Sequence, residues 1–203
     1  MNESYFSATF VQSADALPRC PVAVREVAFA GRSNAGKSSA INTITRQKKL
    51  ARTSKTPGRT QLLNYFAVGD DAHFLVDLPG YGFAEVSKEK KKAWQAAMQR
   101  YLTQREPLVG VVLVMDIRRP LTDSDWQMIE LQQQGHTELH VLLTKGDKLA
   151  RGPRIQTVHK VQSTLADAGV EATIQDFSSL KAEGVADAHG VLDSWLFGST
   201  LDL

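Results

Sequence analysis

Cysteine is almost missing from this chain: Cys20 is the only one in 203 residues. No intrachain disulfide can form, and a cysteine-based zinc site is ruled against. A lone cysteine is usually a small buried hydrophobe. Long apolar runs are missing too. The longest, Leu108 to Met115, is interrupted by Gly110 and falls far short of the ~20 residues that cross a bilayer. The first residues, Met1-Asn2-Glu3-Ser4-Tyr5-Phe6, lack a basic stretch followed by an apolar one, so no secretory signal is expected. There is no internal repeat and no low-complexity tract. These absences fit a cytoplasmic chain that does not enter a membrane. What remains is ordinary globular composition, 42% hydrophobic and 23% charged, and a length suited to one domain over residues 1–203. Residues 1–23, broken by Pro18 and Pro21, read as an N-terminal extension, with a short strand possible over Ser7 to Val11.

The formal net charge of +2 conceals an asymmetry. Between Thr45 and Arg105 twelve Lys/Arg face five Asp/Glu, a net +7 that leaves −5 for the rest. A positive field so concentrated fits a polyanionic partner. The Lys88 to Lys92 run also fits the solvated face at the start of a helix, and the sequence leaves both readings open.

Periodicity gives the elements. Strands are expected over Val24 to Ala30, Gln61 to Val68, His73 to Asp77, Leu108 to Met115, Leu139 to Leu143 and Val170 to Gln175. Helices are expected from Ser39 to about Arg46, Lys88 to Arg105, Ser124 to Gln134 after an Asp123 cap, Pro153 to about Ala168, and Val185 to Phe197. Gly69-Asp70-Asp71 reads as a hairpin turn, and Gln47 to Thr60, polar and punctuated by Pro57-Gly58, as a loop. This alternation predicts an α/β doubly wound domain. Its six-stranded sheet is mainly parallel, with one antiparallel edge strand and helices on both faces.

The chemical motifs fall just beyond predicted strands. Gly31-Arg32-Ser33-Asn34-Ala35-Gly36-Lys37-Ser38 fits G-x-x-x-x-G-K-[ST] between a strand and a helix. Its glycines let backbone N–H groups turn inward on phosphate oxygens, and the helix start at Ser39 favours the same charge. Lys37 is placed to reach the β- and γ-phosphates, and the Ser38 hydroxyl to ligate Mg²⁺. In Asp77-Leu78-Pro79-Gly80 the carboxylate can hold Mg²⁺ through a water, and the Gly80 N–H can meet a γ-phosphate. In Thr144-Lys145-Gly146-Asp147 the Asp147 carboxylate can accept from N1–H and the N2 amine of guanine, a donor pair adenine lacks. Lys145 could cover the base face. Thr144 stands where Asn is common, so an amide contact is either made by a hydroxyl or lost. After the last strand, Phe177-Ser178-Ser179 offers a backbone N–H to guanine O6. In the basic loop, Gly58-Arg59-Thr60-Gln61-Leu62 leads into a strand. Thr60 is the candidate to complete Mg²⁺ coordination once a γ-phosphate is present, with Thr53 and Thr56 as competitors.

With these runs in order, and with Lys55-Thr56-Pro57-Gly58-Arg59-Thr60-Gln61 and Asp77-Leu78-Pro79-Gly80-Tyr81-Gly82 among them, the chain resembles the EngB (YihA/YsxC) family of bacterial GTPases, of the TRAFAC class. The resemblance covers nearly the whole chain. It implies a P-loop GTPase fold, GTP/GDP binding with slow hydrolysis, and a monomer assisting assembly of the large ribosomal subunit on its rRNA. Growth, cell division and septation would depend on it. Tyr81 stands where Ras-like GTPases carry a water-orienting Gln, so slow turnover is expected. By resemblance to related GTPases with the same phosphate-loop Asn, Asn34 would help hold a K⁺ ion beside the phosphates; Lys37, Thr60 and Asn34 are the candidate catalytic residues. The alternatives are an RNA-binding assembly factor with a structural nucleotide, a direct septation factor, and a P-loop ATPase.

Overall fold

Two strands in this sequence are apolar without alternation, and a strand of that kind is stable only with both faces covered. They lie at the centre of the molecule. The computed structural model describes residues 2–51, 62–82 and 88–198. In chain order the elements are β1 (Thr9–Ala14), β2 (Arg25–Gly31), α1 (Lys37–Ile44), β3 (Leu63–Ala67), β4 (His73–Asp77), α2 (Lys88–Gln104), β5 (Leu108–Asp116), α3 (Asp123–Gln132), β6 (Glu138–Thr144), α4 (Arg151–Asp167), β7 (Thr173–Asp176) and α5 (Val185–Leu196). The strands form one sheet in the order β1-β3-β4-β2-β5-β6-β7. β2 pairs in parallel with both β4 and β5, and β5, β6 and β7 continue in parallel.

Side chains along each central strand alternate between two cores, as the period of two requires. Ala28, Ala30, Val111, Leu113, Val141 and Leu143 pack with Met98, Tyr101, Met128, Ile129 and Leu165, under α2, α3 and α4. Val27, Phe29, Val112, Val114 and Leu142 pack with Ile41, Ile44, Ala188, Leu192 and Trp195, under α1 and α5. Among the described residues no helix is long and apolar enough to cross a membrane.

The sheet has seven strands rather than the six expected. The extra one is β1, which pairs antiparallel with β3, matching Thr9 to Ala67 and Ala14 to Leu63 through a register shift between Phe10 and Gln12. The single antiparallel strand is β3, and it is not at the edge. Its outer edge is covered by the chain's own N-terminal segment, which removes an open row of backbone donors and acceptors. α3 starts one residue earlier than a cap at Asp123 would give. Thr122 is the cap, and the Asp125 carboxylate accepts from its N–H at 2.9 Å and its hydroxyl at 2.8 Å.

Gly110 explains the break in the Leu108 to Met115 run. A Cβ there would lie 2.3 Å from Cε3 of Trp195. That ring cannot step aside easily: its Nε1 donates to Glu138 at 2.8 Å, and the Trp195 carbonyl accepts from Arg25 at 2.9 Å. Gly110→Ala is therefore expected to destabilise the fold by about 1–3 kcal/mol, the usual cost of overpacking. A shift of the urea midpoint at unchanged slope would register it.

Candidate functional site

The carboxyl ends of the parallel strands collect every described motif. In an open α/β sheet this is where ligands sit. β2 ends at Gly31, where a Cβ would lie 2.8 Å from the Val114 carbonyl oxygen, so the loop can leave the sheet this closely only with glycine. The loop then turns through Asn34 at φ 64° and Gly36 at φ 101°. The left-handed region is open to glycine and, at small cost, to asparagine. Arg32 and Ser33 are half-buried, Asn34 is exposed, and Ala35 is buried. α1 begins at Lys37, with Ser38 and Ser39 in its first turn.

β4 delivers Asp77 beside this loop. Lys37 and Asp77 form an ion pair, with side chains only 11% and 9% exposed. Leu78 and Pro79 are buried. Beyond them the chain lies alongside the phosphate loop: Ser33 N–H donates to the Tyr81 carbonyl at 2.9 Å, and Gly80 sits where an added Cβ would be 3.7 Å from the Ser33 backbone. Ser38 and Asp77 supply a hydroxyl and a carboxylate, hard oxygen donors of the kind Mg²⁺ takes. With two such side chains the remaining ligands would have to be phosphate oxygens, waters and a further hydroxyl.

Tyr81 does not face the phosphate loop. Its ring packs 5.9 Å from Trp94 of α2, and its hydroxyl donates to Asp125 of α3 at 2.9 Å. Burial and the neighbouring carboxylate push the phenol well above its usual value. The residue pins the Asp77–Gly80 turn to α2 and α3. Tyr81→Phe is expected to cost about 1–2 kcal/mol of stability, the value of a hydrogen bond to a buried charge that keeps other donors. Chemical denaturation would measure it.

β6 delivers the Thr144–Asp147 motif. Thr144 is buried, and its hydroxyl lies within hydrogen-bond reach of two main-chain carbonyls, Ala35 in the phosphate loop and Met115 at 3.0 Å on β5. The hydroxyl therefore staples the two loops together. Lys145, at φ 61°, reaches across with Nζ donating to the Asn34 carbonyl at 2.7 Å and to Asp116 at 2.9 Å. Gly146 N–H donates to the Phe177 carbonyl at 2.9 Å, joining this loop to the one after β7. There Ser178, fully buried, donates its hydroxyl to Asp147 at 2.8 Å. That bond, with Lys148 nearby, holds the Asp147 carboxyl below the usual carboxylate range, so it is ionised and accepts only. Ser179 is half-buried next to it.

The fold thus brings Gly31 to Ser39, Asp77 to Gly80, Thr144 to Asp147 and Phe177 to Ser179 to one end of the sheet. Leu62 is placed just ahead of β3. Gly58, Arg59, Thr60 and Gln61, with Thr53 and Thr56, lie outside the described residues. Asp116 and Arg154 are not apparent as site residues from sequence. Asp116 ends β5 just as Asp77 ends β4, and that position was the available signal. Arg154 of α4 pairs with Asp176 and Glu183 and occupies the space over Gly146, 3.0 Å from an added Cβ. Nothing local in the helix marks it.

A family model described as "50S ribosome-binding GTPase" matches residues 26–145. A "Probable GTP-binding protein EngB" of Shewanella denitrificans is 55% identical over 170 residues, 84% of this chain and 77% of that protein. One of Escherichia coli is 51% identical over 195 residues, 96% of this chain and 92% of that protein. Among solved structures, one of a probable GTP-binding protein EngB superposes with TM-score 0.66 at 19% identity, covering 85% of this chain and 98% of that one. That of Aquifex aeolicus Era bound to GDP·AlF4⁻ gives 0.62 at 17% identity, over 84% and 56%. At those identities the structures speak for the fold, and the two sequence relatives for the family. The chain belongs to the EngB family of GTP-binding proteins and is a GTPase.

Proposed function

We propose that this GTPase is a slow, Mg²⁺-dependent switch that docks on a precursor of the large ribosomal subunit in its GTP state and leaves after hydrolysis. The observation that carries the nucleotide part is the pairing of two opposed halves at one sheet end. Lys37 and Asp77 pair beside the 31–36 loop, and Ser178 and Asp147 pair beyond the ends of β6 and β7. In this reading the 31–36 backbone cradles the phosphates, Lys37 neutralises the β- and γ-oxygens, and Gly80 N–H meets the γ-phosphate. Asp147 pairs with guanine N1–H and N2, the Lys145 stem covers the base, and the loop at Ser178 and Ser179 meets O6. Ser38, Thr60 and, through water, Asp77 would hold Mg²⁺, which would neutralise charge on the phosphates. Gly58 to Leu62 would follow the γ-phosphate as a switch segment.

Slow turnover is supported by Tyr81, whose hydroxyl is committed to Asp125 and which brings no amide to orient a water. Asn34, exposed at the crest of the loop, is the side chain we assign to a K⁺ ion in place of an arginine finger. Hydrolysis should then be faster in K⁺ than in Na⁺ at equal ionic strength; equal rates, with ribosomal particles present, would remove that role.

The ribosomal part is supported by the family model's description and by the net +7 between Thr45 and Arg105, a charge suited to rRNA. We place the protein in the cytoplasm as a monomeric single domain, with growth, division and septation depending on it through the ribosome. The test is sedimentation with large-subunit precursors. Retention with a non-hydrolysable GTP analogue and release with GDP, weakened by added salt, is the expected result. Binding indifferent to the nucleotide would favour an RNA-binding factor with a structural nucleotide, and no binding to any ribosomal particle would favour a direct septation role.

A further inference from the structure

Lys145 has a left-handed backbone and a long flexible side chain, yet its ammonium is held at one point between two loops. The Asn34 carbonyl at 2.7 Å is one anchor; the other is Asp116 Oδ2 at 2.9 Å. Asp116 is the last residue of β5, paired with Thr144 on β6, so its carboxylate rises from the rigid centre of the sheet. Its orientation is fixed from the far side by Arg118. Oδ1 accepts from the Arg118 backbone N–H at 3.0 Å and from Nε at 2.9 Å, and Oδ2 from Nη2 at 2.6 Å. With Lys145 added, each oxygen accepts two bonds. The Arg118 bonds first, then Lys145, hold the Asp116 carboxyl well below the usual carboxylate range. The carboxylate is only 10% exposed, against 48% for Arg118 and 31% for Lys145, so the charge–charge contact is screened less than one at the surface.

We propose that Asp116 is a positioning residue for guanine nucleotide: by fixing the Lys145 ammonium against the Asn34 carbonyl it ties the base-reading loop to the phosphate loop and slows nucleotide release. This rests on the reading of Lys145 and Asp147 as the base side of the site. The carboxylate need not touch the nucleotide. It acts by keeping Lys145 stretched along the path a base must cross to leave, and by preventing the Thr144–Asp147 loop and the phosphate loop from parting. Arg118, in contrast, aims Asp116 without reaching Lys145 itself.

Release of a fluorescent GDP analogue from the full chain tests this in Asp116→Asn, Arg118→Ala, Lys145→Ala and the Asp116→Asn/Lys145→Ala pair. Asp116→Asn should release nucleotide about ten- to a hundredfold faster, the scale of one charge-assisted hydrogen bond. The change should appear in KM for GTP far more than in saturated turnover. Arg118→Ala should speed release less than Asp116→Asn does, because the carboxylate is kept and still accepts from Lys145 and from the backbone N–H of residue 118. The double variant should release no faster than Lys145→Ala alone, since both act through one ammonium. Asp116→Ser, which removes the carboxylate with less bulk, should match Asp116→Asn, with thermal melting used to check that each variant is folded. Additive effects of the two substitutions, an Arg118→Ala effect as large as that of Asp116→Asn, or unchanged release in Asp116→Asn would each overturn the proposal. A wild-type chain that fails to bind the analogue would overturn the nucleotide reading itself, and this inference with it.

Discussion

Asp147→Asn is expected to lower the affinity for GTP and GDP by roughly a hundred- to ten-thousandfold and to leave the fold intact. In the proposed site the ionised carboxylate would accept two hydrogen bonds from guanine N1–H and N2, each worth about 1.5–3 kcal/mol when the acceptor is charged. The asparagine amide keeps one acceptor and turns a donor toward a donor, so one bond is lost and another weakened by loss of charge. Ser178 can still donate to the remaining oxygen, so the loop keeps its internal support. The substitution also predicts its own complement. Xanthine carries a carbonyl where guanine carries the N2 amine, and the asparagine NH₂ can donate to it. Titration calorimetry with GDP and xanthosine diphosphate should show the two affinities crossing over. Unchanged guanine preference would mean that Asp147 does not read the base. Because Ser178 keeps the Asp147 carboxyl below its ordinary value, this contribution stays level as pH falls from neutral, and is lost only below the usual carboxylate range.

What made the Thr144–Asp147 candidate legible was its place after a strand rather than the motif. Thr144-Lys145-Gly146-Asp147 is a weak pattern alone, but Leu139 to Leu143 before it is apolar at every position except His140, and such a stretch reads as a buried strand whose carboxyl end can carry a ligand loop. Asp77 and Ser178 were singled out by position, each at or just beyond the end of an expected strand. The logic was local, and it failed where partners are distant in sequence. β1 was weakly marked because its partner strand begins at Leu63 and its register shifts midway. The direction of the Tyr81 side chain depends on Asp125, 44 residues away, and that of the Thr144 hydroxyl on Ala35, 109 residues away. Periodicity reports which face a residue takes, not which atom its polar group meets. Asp116 shows the limit most clearly: its strand was found, but the value of a carboxylate one residue past Met115 came only from Lys145 and Arg118 arriving beside it.

Lys37→Ala is expected to abolish detectable hydrolysis and to weaken nucleotide binding on the order of a thousandfold, the scale of two charge-assisted bonds to phosphate. The structure adds a second consequence that a phosphate contact alone would not give. Asp77 is 9% exposed at its side chain and is paired with Lys37. Removing the ammonium leaves a nearly buried carboxylate without its counter-charge, which costs about 3 kcal/mol. The same carboxylate then repels the phosphates it lies beside. An ammonium has three donors, so in the intact protein it can keep Asp77 while meeting phosphate oxygens. The two effects separate in the pair Lys37→Ala/Asp77→Asn. Neutralising Asp77 should return most of the lost stability, read by urea unfolding, because no buried charge is left unpaired. It should not return hydrolysis, because the cation facing the phosphates is still absent. If the double variant regained turnover, Lys37 would be a structural partner of Asp77 and the phosphate role would belong elsewhere. If it stayed as unstable as Lys37→Ala, the ion pair would carry little of the fold.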